Sequence, residues 1–397
     1  MSNAEYLSKD ILEDQYIRSF SPFHYVEVAL GTSRIHLRNR FVTSPTLSQK
    51  VYSLVCAGLA CGLHVYVTIT YFEKYYKYPI IYYTFVSLAS MHFMTFACNI
   101  IHLRFFNTVE NQEFYVQMQQ LDRMLKVHDC INNMQYLYNI YTVAASILIL
   151  FCTFICGVFL HYLLAIGFIG ILYGVLCCAL EWMHCASLLI YFYLRIRYIN
   201  AIISNHLEGK LVLAEIKHFR LPRRSLLRHL ASSVHDFESS PVDLYVAALF
   251  DAYSTFQNLY RFQLLLFVGN FFLHCLLSFF VEILSAQKGL INRETWIEFT
   301  DMPAISLIST LTAIAISIRC ELFLREVMRT RRLCVNVLAR HYDGVIRDKA
   351  KRILRTLDAR PPSLSVYDMW HMHAGTLPAV TNILTTLMVA ILQFVLL

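Results

Sequence analysis

An all-α membrane protein is what this sequence predicts, with seven transmembrane helices, the N-terminus cytoplasmic and the C-terminus extracellular. Three observations lead there. Hydrophobic residues make up 57% of 397 and charged residues only 15%, with a mean hydropathy of +0.49; a water-soluble chain carries about 25% charge. The charges are segregated, long uncharged runs alternating with charged segments, which is the pattern of a polytopic membrane protein. Finally, 30 of the 34 Lys and Arg fall in alternate segments between those runs. The positive-inside rule makes that side cytoplasmic.

Seven runs are long enough for a tilted helix of roughly 20 residues: 51–72, 79–103, 138–164, 166–194, 262–284, 302–318 and 376–397. The chain then divides into a cytoplasmic N-terminus (1–50), helices one to four (51–194), a cytoplasmic helical loop (195–261), helices five and six (262–318), cytoplasmic anchor helices (319–375) and a last helix (376–397). The start, MSNAEYLSKDILEDQ, is polar and acidic, so no cleavable signal peptide is expected. Tyr16–Gly31 mixes Phe20, Phe23, Tyr25, Val26 and Leu30 with charges. It is too broken to span and predicts an amphipathic re-entrant or surface helix at the inner face. An outer turn is expected at 165–170, between the third and fourth spans.

The inner segments are long and patterned. Val212, Ile216 and Phe219 have helical spacing, as do Tyr245, Leu249, Ala252, Phe256 and Leu259. Residues 321–328 continue the sixth span inward, and Lys349 to Leu357 reads as another amphipathic helix. Such helices would form an anchor bundle by which subunits hold each other. The basic clusters Arg223-Arg224, Arg331-Arg332 and Arg347 to Arg360 read as topology and contact with anionic membrane lipids rather than a nucleotide site; no nucleic acid partner is expected. The deduced direction is the reverse of a seven-helix G-protein-coupled receptor. None of the twelve cysteines falls in a predicted outer loop, so no extracellular disulfide is expected.

The polar residues of the apolar runs are the candidate site. In the last run Asn382, Thr386, Val389 and Gln393 are spaced 4, 3 and 4 and share one helical face. A narrow polar stripe of this kind is either a tight helix–helix contact or, with several copies around an axis, a pore lining. Glu181 and His184 sit one turn apart. They are either an intramembrane functional pair or a buried carboxyl and imidazole that fix helix packing. His64, His92, His161 and His274 are further intramembrane groups. No spacing supplies the third and fourth ligands of a zinc site, and no nucleophile with its base appears. No metal, cofactor, catalytic residue or enzymatic activity is therefore expected. Aromatic and hydroxyl side chains gather in the outer halves of spans two to six: Tyr82, Tyr83, Phe85, Phe154, Phe159, Tyr162 and Tyr173, with His161, His274, Ser278, Ser306 and Ser309 at similar depth. They suit a small-molecule pocket opening outward, or an interfacial aromatic belt.

The end of the chain resembles the signature of the insect gustatory receptor family: Thr-Tyr, five apolar residues, then Gln-Phe. Thr386-Leu387, residues 388–392 and Gln393-Phe394 keep that spacing, with Leu387 where the family has Tyr. Topology, length, short outer loops and long inner helices are similar too. The resemblance implies a tastant-gated, non-selective cation channel in the plasma membrane of sensory neurons. It would be a homotetramer, or a heterotetramer with related subunits, whose last helices line the pore. By position, Asn382, Thr386, Gln393 and Phe394 would belong to the pore and Ala390 to the gate, where the family usually has a larger aliphatic residue. Ala390 would mean a wider pore, a gate at a neighbouring position or a mixed tetramer.

Overall fold

The computed structural model describes residues 11–126, 129–160, 165–208, 237–238, 240–289, 296–367, 369–373 and 375–396. Ten helices and two small hairpins make up the described residues: α1 (Asp14–Ala29), β1 (His36–Arg38), β2 (Phe41–Thr43), α2 (Leu47–Tyr75), α3 (Pro79–Ile101), α4 (Thr108–Leu125), α5 (Asp129–Leu160), α6 (Ala165–Glu208), α7 (Val242–Gln287), α8 (Trp296–Arg340), α9 (Val345–Ala359), β3 (Leu364–Val366), β4 (Trp370–Met372) and α10 (Thr376–Leu396). Five stretches are long and apolar enough to cross a membrane: Leu47–Thr70, Pro79–Phe106, Leu172–Leu207, Val242–Gln287 and Ile305–Arg340.

Local sequence explains the ends. Thr46 and Gln49 form a reciprocal capping box that starts α2. Pro79 opens α3, where its missing N–H is no loss. A π-helical turn, His102–Phe106, follows α3; such turns widen the helix and re-aim side chains. Here Arg104 reaches the carbonyl of Gly31, its Nε donating at 3.2 Å, and the same carbonyl accepts from Ser53 Oγ at 2.5 Å. Gly31 has φ +71°, a conformation that costs glycine little. It lets the chain turn back into the bundle after α1.

The largest buried cluster joins α1, α4, α6, α7, α8 and α9. Its centre is the lower half of α6 against α7 and α8, and includes all of Tyr245, Leu249, Ala252, Phe256 and Leu259. α8 is continuous through residues 321–328, and α9 buries Lys349, Ala350, Ile353 and Leu357. Polar clamps fix the register. Arg195 grips Asp122 of α4 through two 2.9 Å hydrogen bonds and lies 3.6 Å over the Tyr191 ring. Thr330 Oγ1 donates to Asn200 Oδ1 at 2.7 Å, joining α8 to α6. The set Val212, Ile216 and Phe219 lies outside the described residues.

α1 packs against α5 and α6, with Tyr16, Phe20, Phe23, His24 and Glu27 buried and Tyr25 exposed. Its charges escaped a sequence reading because their partners come from distant helices. The turn expected at 165–170 is helical, the first turns of α6. Glycine is a poor helix former, but tertiary packing overrides that here. A Cβ on Gly170 would come within 2.6 Å of Leu63 Cβ, and one on Gly174 within 3.7 Å of Phe96. The two glycines, four apart, let α2 and α3 approach α6 closely, as in membrane helix pairs. Gly170→Ala should therefore destabilise the chain by about 1–3 kcal/mol through overpacking. Adding Leu63→Ala should recover most of that, as read by thermal unfolding in detergent.

Candidate functional site

α10 settles onto α7 and α8 through Val380, Leu384, Met388 and Ile391, of which Leu384 is buried and the others half-buried. Asn382, Thr386, Val389, Ala390 and Gln393 are all exposed. At about 100° per residue the Asn382–Thr386–Val389–Gln393 stripe lies opposite Leu384. Apolar residues flank it, Ile383 and Leu387 on one side and Leu392 on the other, all exposed. Thr386 Oγ1 donates back to the Asn382 carbonyl at 2.9 Å, and Thr385 Oγ1 to that of Thr381 at 2.9 Å. The hydroxyls are thus satisfied within the helix. The side-chain amides of Asn382 and Gln393 find no partner among the described residues. The Phe394 side chain lies outside them.

Between α3, α6, α7 and α8 runs a cleft lined by His92, Trp182, Phe267, Asn270, Ile305, Ile308, Ser309 and Thr312, among others. It has room for roughly two water molecules as it stands. His92 also lines a second, smaller cavity, between α2, α3 and α6, with His64, Phe93, Phe96 and Gly170. His92 Nε2 lies 2.9 Å from His274 Nδ1, and Ser278 Oγ lies 3.4 Å from His274 Nε2. His274 and Ser278 are buried directly behind the cleft wall.

Of the pocket expected from sequence, Ser309 is in the lining and His274 and Ser278 support it. Ser306 is one residue away from Ile305 in the wall but is not part of it. Tyr82, Tyr83 and Phe85 do not reach the cleft. Phe85 stacks on Tyr75 at 5.3 Å and, with Ile81, Leu88 and Val281, forms a separate buried cluster against which Tyr82 packs. Tyr83 is 66% exposed. These three start α3, two to three turns from His92, so helix geometry sends them to another contact. Tyr173 is held away too, its hydroxyl donating to the Leu30 carbonyl at 2.6 Å. The side chains of Phe154 and Phe159, and His161 and Tyr162 entirely, lie outside the described residues. Trp182, Phe267 and Asn270 line the cleft unanticipated. Asn270 was the legible one, an amide within the apolar run of α7.

Glu181 and His184 do not pair with each other. Glu181 forms an ion pair with Arg34, both side chains at most 2% exposed. His184 Nδ1 lies 2.6 Å from Glu27 Oε1, and the Phe23 ring stacks on its imidazole at 4.8 Å. The helical turn points the two α6 side chains at different parts of the N-terminal segment. Arg34 also donates to Asn111 Oδ1 (3.3 Å) and Gln263 Oε1 (3.1 Å) and lies 4.1 Å over the Tyr260 ring. One guanidinium thereby ties the N-terminal segment to α4, α6 and α7. Among the described residues no group of three or more His, Cys, Asp or Glu is arranged to hold a metal ion.

Burial works against the charge of Glu27, but His184 and Arg34 together outweigh it and hold the carboxyl below its usual range. A depressed carboxyl pKa adds stability that is present above the unfolded-state value and lost as pH falls through the folded-state one. Thermal stability of the purified chain should therefore drop below about pH 4, and the drop should be smaller in Glu27→Gln. No protein-family model matches this chain, and no curated protein is similar enough to align with it.

Proposed function

We propose that the chain is a subunit of a tetrameric, ligand-gated, non-selective cation channel of the plasma membrane, akin to the insect gustatory receptors that its last helix resembles. The reading takes α5 and α10 as two further spans beside the five long apolar stretches, with the N-terminus cytoplasmic. One observation carries it: the α10 stripe of Asn382, Thr386 and Gln393 turns away from the chain's own bundle. An amide facing lipid has no hydrogen-bond partner, which costs free energy. The stripe is therefore covered by other copies or by water, and four copies around an axis supply both. Ala390 beside it would border the constriction. The cleft around His92 would take the tastant, and shifts of α3, α7 and α8 around it would bias the pore open. Because Glu181 and His184 are each held by the N-terminal segment, the arrangement favours a structural role for them over catalysis or transport.

Cysteine accessibility tests the reading. Asn382→Cys, Thr386→Cys and Gln393→Cys, compared with the otherwise unchanged chain, should be modified by a charged thiol reagent added in water, with loss of ligand-evoked current. Leu384→Cys should be protected. Equal protection of all four positions would end the pore assignment.

A further inference from the structure

Asn270 and His92 of the cleft lining join His274 and Ser278 behind it in one connected chain across α3 and α7. Asn270 Nδ2 lies 3.5 Å from His92 Nδ1, His92 Nε2 lies 2.9 Å from His274 Nδ1, and Ser278 Oγ lies 3.4 Å from His274 Nε2. A neutral imidazole has one donor and one acceptor, so this chain has a direction. The Asn270 amide donates to His92 Nδ1, His92 Nε2–H donates to His274 Nδ1, and His274 Nε2–H donates to Ser278 Oγ. These three contacts are then met with both rings neutral.

That direction uses the amide nitrogen of Asn270 and leaves its Oδ1, a buried acceptor with no partner. A buried polar atom left unpaired is costly, and Asn270 lines the cleft. Ser309, also in the lining, makes no hydrogen bond among the described residues and offers a hydroxyl. Trp182, Phe267, Ile305 and Ile308 make the wall largely apolar, and no Asp, Glu, Lys or Arg lines it. A full charge entering would be desolvated without a counter-charge.

We propose that this cleft, widened by the shift of α3, α7 and α8 around it, binds a short aliphatic alcohol, a small neutral molecule with an apolar body and one hydroxyl. Its O–H donates to Asn270 Oδ1, its oxygen accepts from the Ser309 hydroxyl, and its alkyl part lies against Trp182 and Phe267. The proposal rests on the reading of the cleft as the ligand's entry, and it names the chemistry of that ligand.

Binding can be read without any current. The chain has three tryptophans, so Trp296→Phe with Trp370→Phe leaves Trp182, in the cleft wall, as the only indole. The full-length protein in lipid nanodiscs is titrated with propan-1-ol, ethyl methyl ether, sodium propionate and propylammonium chloride while Trp182 fluorescence is followed. Propan-1-ol should give a saturable change, with affinity about tenfold or more above the ether, which lacks the donor, and both ions should bind more weakly still. Asn270→Leu should remove the preference of alcohol over ether, whereas Ser309→Ala should weaken both ligands alike and leave the preference, because both carry the accepting oxygen. Unaltered unfolding temperatures establish that both variants are folded. Equal affinity for ether and alcohol would overturn the proposal, as would a preference for the ions, an alcohol preference that survives Asn270→Leu, or a strictly linear response that reports partition into lipid. Saturable alcohol binding without evoked current would leave this inference standing and remove the channel reading. Currents evoked by other ligands, with no alcohol binding, would do the reverse.

Discussion

Arg34→Met should cost the fold about 3–5 kcal/mol, the usual penalty for removing one partner of a buried ion pair. Glu181, 2% exposed, would be left in the interior without its counter-charge, and Asn111 and Gln263 would lose a donor. Surface delivery should fall steeply and the purified chain should unfold at lower temperature. The informative comparison is the double variant Arg34→Met with Glu181→Leu. Replacing both charges by apolar groups of similar volume removes the desolvation cost along with the attraction, so much of the lost stability should return. A double variant no better than Arg34→Met alone would mean that the hydrogen bonds to Asn111 and Gln263, rather than the ion pair, hold the segment.

The second large effect separates the two faces of α10. Leu384→Ala should destabilise the seat of the helix on α7 and α8 by about 2–3 kcal/mol. Asn382→Leu and Gln393→Leu, on the opposite face, should leave the unfolding of an isolated subunit nearly unchanged but alter conductance and ion selectivity, because a dewetted constriction passes ions poorly. Ala390→Phe should close the pathway in a subunit that still reaches the surface. If the Leu variants fold and conduct like the parent chain, the polar stripe is a packing contact between subunits instead.

Much of the helical framework was legible because it depends on solvent. Long apolar runs separated by charge have few alternatives, and each of the seven runs read from sequence lies within or nearly within one helix. The amphipathic spacing at Tyr245–Leu259 and Lys349–Leu357 also marked buried faces directly. The polar stripe of α10 was legible as a face, since helical period fixes which side chains travel together, but not as exposed, since exposure depends on what the opposite face touches. The buried charges were not legible. Arg34 and Glu27 look like ordinary residues of a mixed N-terminal segment, and only three-dimensional proximity to Glu181 and His184 makes burial tolerable. The cleft failed for a similar reason. Tyr82, Tyr83 and Phe85 share a composition with a pocket wall, yet depth along α3 separates them from His92, whereas Gly170 and Gly174 shape the space around it through what they lack.

The position of Arg34 also bears on the order in which the chain is made. Its partners Asn111, Glu181 and Gln263 follow it by up to 229 residues. During synthesis the N-terminal segment emerges first, yet it cannot dock until most of the later helices exist. It must wait undocked until then, and docking closes a long loop late, a slow kind of event. Quality control that recognises an undocked basic segment would thus be sensing whether the helices up to α7 have assembled.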